Sequence, residues 1–401
     1  MRKNISQTSA ARGFSLVELM VALLIGLIIS IGVVQIFGAT RATYQLDESL
    51  ARAQENGRFA LEFLHQDIRH AGYAGCKRDT TVAVFNNLTL VPNAGLPIVG
   101  ISGAEYNTPS TGFGSTYSLL PAPANTTTGW VPALTGVTGA LGTPAGALPG
   151  TDVIALQRMV PNSWALVPPF VDPVNVFLDP AFVSKVRVGM GSDGDVMLVA
   201  DCRSAVAFRA TAITLLGVIS HDVGPTANRC ARWTGGLDTA NAATEACAAA
   251  FDYDGVPSTT AIGRLETVVF FVANDFTSDP LGPGRPTLFR RVRLATGDIV
   301  DTTALVEGVE NFQVLYGVDD ALPADGAADR YVPADAVANF AQVVSVQIGL
   351  LVYGVNATGT ANDTALDTGT HDVAGTNIVA PGDRRSRRVF NTTIQLRNRS
   401  F

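Results

Sequence analysis

The chain has 401 residues, a formal net charge of -7 and an isoelectric point near 5.1. Its length exceeds one average domain and allows a large core, so one big globular part and two smaller ones are both open. The acidic balance lacks the basic footprint of a nucleic-acid-binding protein, and no nucleic-acid partner is expected.

Arg2, Lys3 and Arg12 precede an apolar run from Phe14 to Phe37 in which Glu18 is the only formal charge. A helix of this length, rising about 1.5 Å per residue, covers the roughly 30 Å hydrocarbon core of a bilayer. The basic residues before the run keep that end cytoplasmic. A secretory signal peptide fits poorly, because its apolar region spans about 7 to 15 residues and ends at a small-residue cleavage site. Here the run is longer and Gly13 stands before it. A carboxylate near the start of such a segment costs about 2.5 to 3.5 kcal/mol, so Glu18 marks a function with a partner to be found.

Gly13-Phe14-Ser15-Leu16-Val17-Glu18 resembles the type IV prepilin motif. The resemblance implies cleavage between Gly13 and Phe14 by the membrane-embedded prepilin peptidase. It also implies N-methylation of the new Phe14 amine, retention of the apolar run as a helix, and an assembly role for Glu18. Many major pilins carry a helix-breaking proline in the membrane half where Gln35 stands here. This departure removes the ground for expecting that half to melt on assembly.

All four cysteines, Cys76, Cys202, Cys230 and Cys247, lie beyond the membrane run. With the N-terminus inside, they reach an oxidising periplasm, where two disulfides form with three connectivities open. Proximity alone favours Cys230 with Cys247 and Cys76 with Cys202.

After the membrane run Leu46, Leu50, Ala53, Gly57, Ala60, Leu64 and Ile68 recur every three or four residues, while charged residues hold the other faces. That stripe predicts one helix from about Phe14 to His70, half in lipid and half packed on a domain. Gly57 costs about 1 kcal/mol of helix propensity and lets the helix sit close to a sheet. From Asp79 to Gly150 the composition turns to Gly, Ala, Pro, Thr and Asn, which predicts loops with a few short strands among them. The expected organisation is a leader at 1–13, a transmembrane half-helix at 14–38, an amphipathic half at 39–72, a loop region at 73–150 and a β-rich head at 151–401.

Beyond residue 150 the apolar period becomes two. Val344, Val346, Ile348, Leu350 and Val352 alternate with Ser345, Gln347 and Gly349, and Phe390, Thr392, Ile394 and Leu396 with Asn391, Thr393 and Gln395. Further strands are predicted at Asp152 to Gln157, Val183 to Val188, Asp195 to Ala200, Leu265 to Val272, Leu288 to Leu294 and Asn311 to Tyr316. The fold class is therefore α+β, with one long N-terminal helix packed on a large, mostly antiparallel sheet.

Gln54 to Phe59, Asp67 to Cys76, Leu305 to Asp319 and the closing Phe390 to Arg399 resemble the PilW family of minor pilins. The resemblance implies a low-copy subunit in the inner membrane with its C-terminal domain in the periplasm, and later in the pilus. Its implied partners are the prepilin peptidase, the inner-membrane assembly platform, other minor pilins, the major pilin and a tip adhesin. Pili of this type serve attachment, twitching motility and DNA uptake. A type II secretion pseudopilin shares the same N-terminal logic and is the competing reading.

A membrane-tethered enzyme needs a clustered acid, base or nucleophile, and none stands out. Gly189 to Gly194 spells GxGxxG, but a strand-like segment follows where a dinucleotide site must open a helix. His65, His70, His221 and His371 are scattered, and neither HExxH nor GxSxG occurs. Asp252 and Asp254, and Asp319, Asp320, Asp325 and Asp329, form two acidic loops that read either as turns or as calcium ligands, though neither follows the EF-hand spacing. Arg384 to Arg388 reads as a solvated strand entry or as a dock for an acidic neighbour. No cofactor is expected.

Overall fold

The computed structural model describes residues 15–75, 84–88, 100–107, 113–120, 123–133, 146–160, 164–166, 175–178, 194–200, 205–214, 216–222, 224–225, 228, 261–276, 284–294, 299–354, 367–383 and 385–398. Helix α1 runs unbroken from Leu16 to Arg69, about 81 Å at a rise of about 1.5 Å per residue. No proline interrupts it. Its halves differ as the sequence suggests. Large apolar side chains from Leu16 to Phe37 stand exposed, whereas Ala53, Ala60, Leu64 and Ile68 are fully buried.

The main strands are β1 (Gly100–Tyr106), β2 (Val153–Met159), β3 (Val196–Ala200), β4 (Ala205–Arg209), β5 (Ala261–Asp275), β6 (Arg285–Leu294), β7 (Ile299–Glu307), β8 (Val309–Val318), β9 (Arg330–Val332), β10 (Val343–Tyr353), β11 (Thr370–Val373), β12 (Thr376–Val379) and β13 (Arg387–Gln395). The predicted strand at Val183 to Val188 lies outside the described residues, as do most of the GxGxxG stretch and Asp252 and Asp254.

The fifteen-residue β5 organises the larger sheet. Its first residues pair with β3, its middle lies between β2 on one side and β6 on the other, and its last residues pair with β6 alone, all antiparallel. β7 extends the β6 side and β1 the β2 side. A second sheet has the order β9-β8-β10-β13, again antiparallel. The β11–β12 hairpin packs its Val373 and Ile378 with Leu351 of β10. β1 lies in the stretch read from composition as loops with a few short strands among them, and it pairs along five positions with β2.

One apolar core joins the layers. Ala60, Leu64 and Ile68 of α1 cluster with Ile154 of β2, Phe270 of β5, Phe312 of β8 and Val346, Ile348 and Leu350 of β10. The alternation in β10 thus turns Val346, Ile348, Leu350 and Val352 into the core shared with the helix and the other sheet. The result is the α+β arrangement of a helix laid on stacked sheets.

Gly57 sits where α1 crosses β13, and a Cβ there would run into the Phe390 ring. By contrast, Gly26, Gly32 and Gly38 in the exposed half have open space around them. Gly57→Leu is therefore expected to destabilise the detergent-solubilised chain by about 1 to 3 kcal/mol, despite its better helix propensity. Gly26→Leu should leave the unfolding midpoint unchanged, and equal midpoints for both variants would contradict this packing.

Candidate functional site

At the N-terminal end of α1, Ser15 is extended and Glu18 occupies the first turn. The Glu18 carboxylate accepts the Ser15 backbone N–H at 3.4 Å. This long contact satisfies a free N–H at the helix start and leaves most of the carboxylate's capacity unused. Gly13 and Phe14 lie outside the described residues, as do Cys76, Cys202, Cys230 and Cys247. Leu16–Arg69 is the one helix among the described residues long and apolar enough to cross a membrane.

At its other end, α1 is fixed by buried charge. Asp67 accepts from Arg158 Nη1 at 2.8 Å through one carboxylate oxygen and from Arg290 Nε at 2.6 Å through the other. Arg158 also donates from Nε to Glu266 at 2.9 Å. The last helical turn is thereby tied to β2, β5 and β6 at once. Asn56 adds a hydrogen bond to the Glu307 carbonyl at the end of β7, 3.0 Å long.

Within the basic run that leads into β13, Arg387 serves the inside of the molecule, whereas Arg388 is exposed. Arg387, its side chain wholly enclosed, donates from Nε and Nη2 to Glu310 at 2.6 and 3.1 Å. From Nη1 and Nη2 it reaches both oxygens of Asp383 at 2.6 and 2.8 Å, and from Nη1 Asp367 at 3.1 Å. Burial opposes its charge, but the hydrogen bonds to Asp383 and Glu310 outweigh that and raise its pKa. Burial likewise works against ionised Asp367 and Asp383. Hydrogen bonds, from the Gly369 N–H and Arg387 to Asp367 and from Arg387 to Asp383, still hold both carboxyls below their ordinary range. Arg385 lies 4.4 Å over the Tyr353 ring.

A second buried acidic group joins β1 to β2. Glu105 accepts the Phe113 N–H at 3.1 Å, and Asp152 accepts the Val314 N–H at 2.8 Å and the Tyr106 N–H at 3.3 Å. Burial, then the neighbouring Asp152 charge, pushes Glu105 up to about 10, while burial pushes Asp152 up to about 7. Asp335 adds repulsion to both. The pair therefore keeps a proton at neutral pH. Tyr316 is enclosed beside it, and a Cβ on Gly103 would collide with its hydroxyl.

The described acidic loop is organised by its own backbone. Asp319 accepts the N–H groups of Ala321 and Gly326 at 3.1 and 2.8 Å, Asp325 that of Ala327 at 2.9 Å and Asp329 that of Asp320 at 2.7 Å. Arg330 pairs with Asp320. The bonds to Ala321 and Ala327, each two residues on, are Asx-turn bonds, the local chemistry that brings Asp to turns, and the other two close the loop across its width. Among the described residues no group of three or more His, Cys, Asp and Glu side chains is placed to hold a metal ion.

Where α1 ends beside β13 there is a cleft of about 240 Å³ lined by His65, Arg69, Thr393, Ile394, Gln395 and Arg397. Its charged lining is entirely basic.

Residues 269–398 match the Type IV Pilus-assembly protein W family, PilW, and residues 8–34 match the prokaryotic N-terminal methylation motif. Comparison with curated proteins and with solved structures returns no match. The PilW match covers β6 to β13 and the last seven residues of β5, including the Arg387 cluster and one wall of the cleft. The motif match covers Gly13, Phe14, Glu18 and most of the exposed apolar half of α1. Both point to a structural pilin that works with a prepilin peptidase and other pilus components. With a methylation motif at the head of its long apolar helix and a PilW region across its second sheet, the chain matches a type IV pilus minor pilin.

Proposed function

We propose that the protein is a low-copy minor pilin that helps initiate assembly of a type IV pilus and sits in or near its tip complex. On this reading the prepilin peptidase cuts between Gly13 and Phe14 and the Phe14 amine is methylated. The apolar half of α1 waits in the inner membrane with the head in the periplasm. The assembly platform then passes the subunit into a pilus beside other minor pilins, the major pilin and a tip adhesin, in support of adhesion and twitching motility. The observation that carries it is α1 itself, exposed and apolar from Leu16 to Phe37 and docked by an alternating stripe beyond Ser49.

Glu18 gives the docking its register. After cleavage the methylated Phe14 amine stays positive, so each subunit carries a cation at its first residue and an anion four positions on. Within one helix these groups lie about 6 Å apart along the axis. A neighbouring helix shifted along the filament brings its own first-residue cation against Glu18, and unpaired charge in hydrocarbon is costly. Glu18→Ala should leave insertion and cleavage intact while reducing recovery in sheared pili relative to the membrane level. Equal recovery of variant and wild type would end this role.

Gly13→Val should leave the leader attached, because the cut site needs a residue without a side chain. Intact mass of native material is the test, and residues 1–13 persisting on wild-type assembled protein would refute processing. A defect in protein secretion with no trace of the chain in pili would move it to a type II secretion pseudopilin.

A further inference from the structure

Strand β13 closes one side of the second sheet, and among the described residues no strand pairs with its outer side. Its pairing with β10 runs through nine consecutive positions without a register shift. The other long edge strand, β7, has two such shifts against β6, and β9, at the opposite edge of the second sheet, has three residues. Bulges and brevity are the usual ways to blunt a sheet edge, and β13 has neither. It also contains no proline.

The ladder phase says which groups the open edge presents. The Leu396 N–H donates to the Val344 carbonyl at 2.9 Å. In an antiparallel ladder alternate residues face the partner, so Phe390, Thr392 and Ile394 turn their N–H and C=O groups to β10. Those of Val389, Asn391, Thr393 and Gln395 then point outward, and Asn391, Thr393 and Gln395 are exposed. The cleft lies along the last part of this edge, with Thr393 and Gln395 in one wall and His65 and Arg69 of α1 in the other. Arg69 has no ion-pair partner among the described residues. An edge of outward amides and carbonyls recognises extended main chain, and a basic cleft beside it recognises a carboxylate.

We propose that the outer edge of β13 is a strand-addition site for an adjacent pilus subunit. An extended segment of that subunit pairs its main chain with Val389, Asn391, Thr393 and Gln395 and seats an acidic side chain in the cleft of His65, Arg69 and Arg397. The proposal rests on the reading of the chain as a pilus subunit. An acidic protein segment is favoured over a free anion because the cleft continues into the edge, where only a main chain can use the outward groups.

The test places a photo-reactive residue at position 393 of the full-length chain, in cells that assemble pili. The expected adduct is with a subunit bearing a prokaryotic N-terminal methylation motif, mapped by mass spectrometry to an extended acidic segment. Arg69→Glu combined with Arg397→Glu should lower its yield about tenfold, the loss of one good charge contact. Gln395→Pro should do the same with little change in the unfolding midpoint, since proline is tolerated where a strand N–H faces outward. No protein adduct, an adduct only with lipid, or an adduct unchanged by both variants overturns the proposal. Wild-type protein present in sheared pili without the adduct ends the docking edge and leaves the pilus reading standing. A charge-dependent adduct with wild type absent from pili does the reverse.

Discussion

Arg387→Met is expected to lower the unfolding free energy by about 3 to 5 kcal/mol, the usual cost of removing one partner from a buried ion cluster. Glu310, Asp383 and Asp367 would then face one another around an apolar side chain, with the five hydrogen bonds that Arg387 donates to them gone. Arg387→Lys should recover only part of the loss, because an ammonium cannot serve two carboxylates in parallel pairs. Denaturant unfolding of the solubilised chain measures both, and a loss below about 1 kcal/mol, the range of exposed pairs, would contradict the enclosed geometry. Because Arg387 opens β13, the same variant should loosen the docking edge.

Stability should also peak on the acid side of neutrality, near pH 4 to 5 by the ordinary values of 4.5 for Glu105 and 3.8 for Asp152. Glu105 and Asp152 have folded values raised above those ordinary values, so their contribution is full below them and is lost as pH rises through about 7 for Asp152 and about 10 for Glu105. The slope is about 1.4 kcal/mol per pH unit for each proton kept only by the folded state. Asp367 and Asp383 act with the opposite sign. Their folded values lie below the ordinary 3.8, so their contribution is present above it and is lost as pH falls further. Melting temperatures from pH 3 to 9 should therefore rise and then fall. Glu105→Gln with Asp152→Asn should flatten the alkaline limb and leave the acid limb in place. A wild-type midpoint that stays level between pH 5 and 8 would refute the shared buried proton.

The helix and most long strands were legible because their patterns are local. The stripe through Ala53, Ala60, Leu64 and Ile68 and the alternation from Val344 to Val352 announce one buried face within a few turns or residues. β1 was hidden because Gly-Ile-Ser-Gly-Ala-Glu-Tyr is buried at all but its last position, so it shows no alternation, and its small residues resemble a loop. The charge clusters were hidden for another reason. Arg387 meets Glu310 across 77 positions and Arg158 meets Asp67 across 91, separations that no periodicity records. What could have pointed to them is arginine inside a buried strand, as with Arg158 near the end of β2, or repeated along one, as with Arg290, Arg291 and Arg293 in β6. Gly57 was readable from its place in the stripe, but the ring of Phe390 that needs the space was not.

The unbroken course of α1 also decides how the molecule bears load. A pull on its first turn meets no proline or hinge before the stripe begins at Ser49 and Ala53, so tension arrives at the sheet undiminished. It arrives along the helix axis, parallel to the contact. Ala60, Leu64, Ile68 and the two arginines on Asp67 are then strained side by side in shear, and they resist as a group where a peeling force would part them one after another. The mechanical joint of the subunit is the seam between helix and sheet, and its strength is the summed strength of that seam.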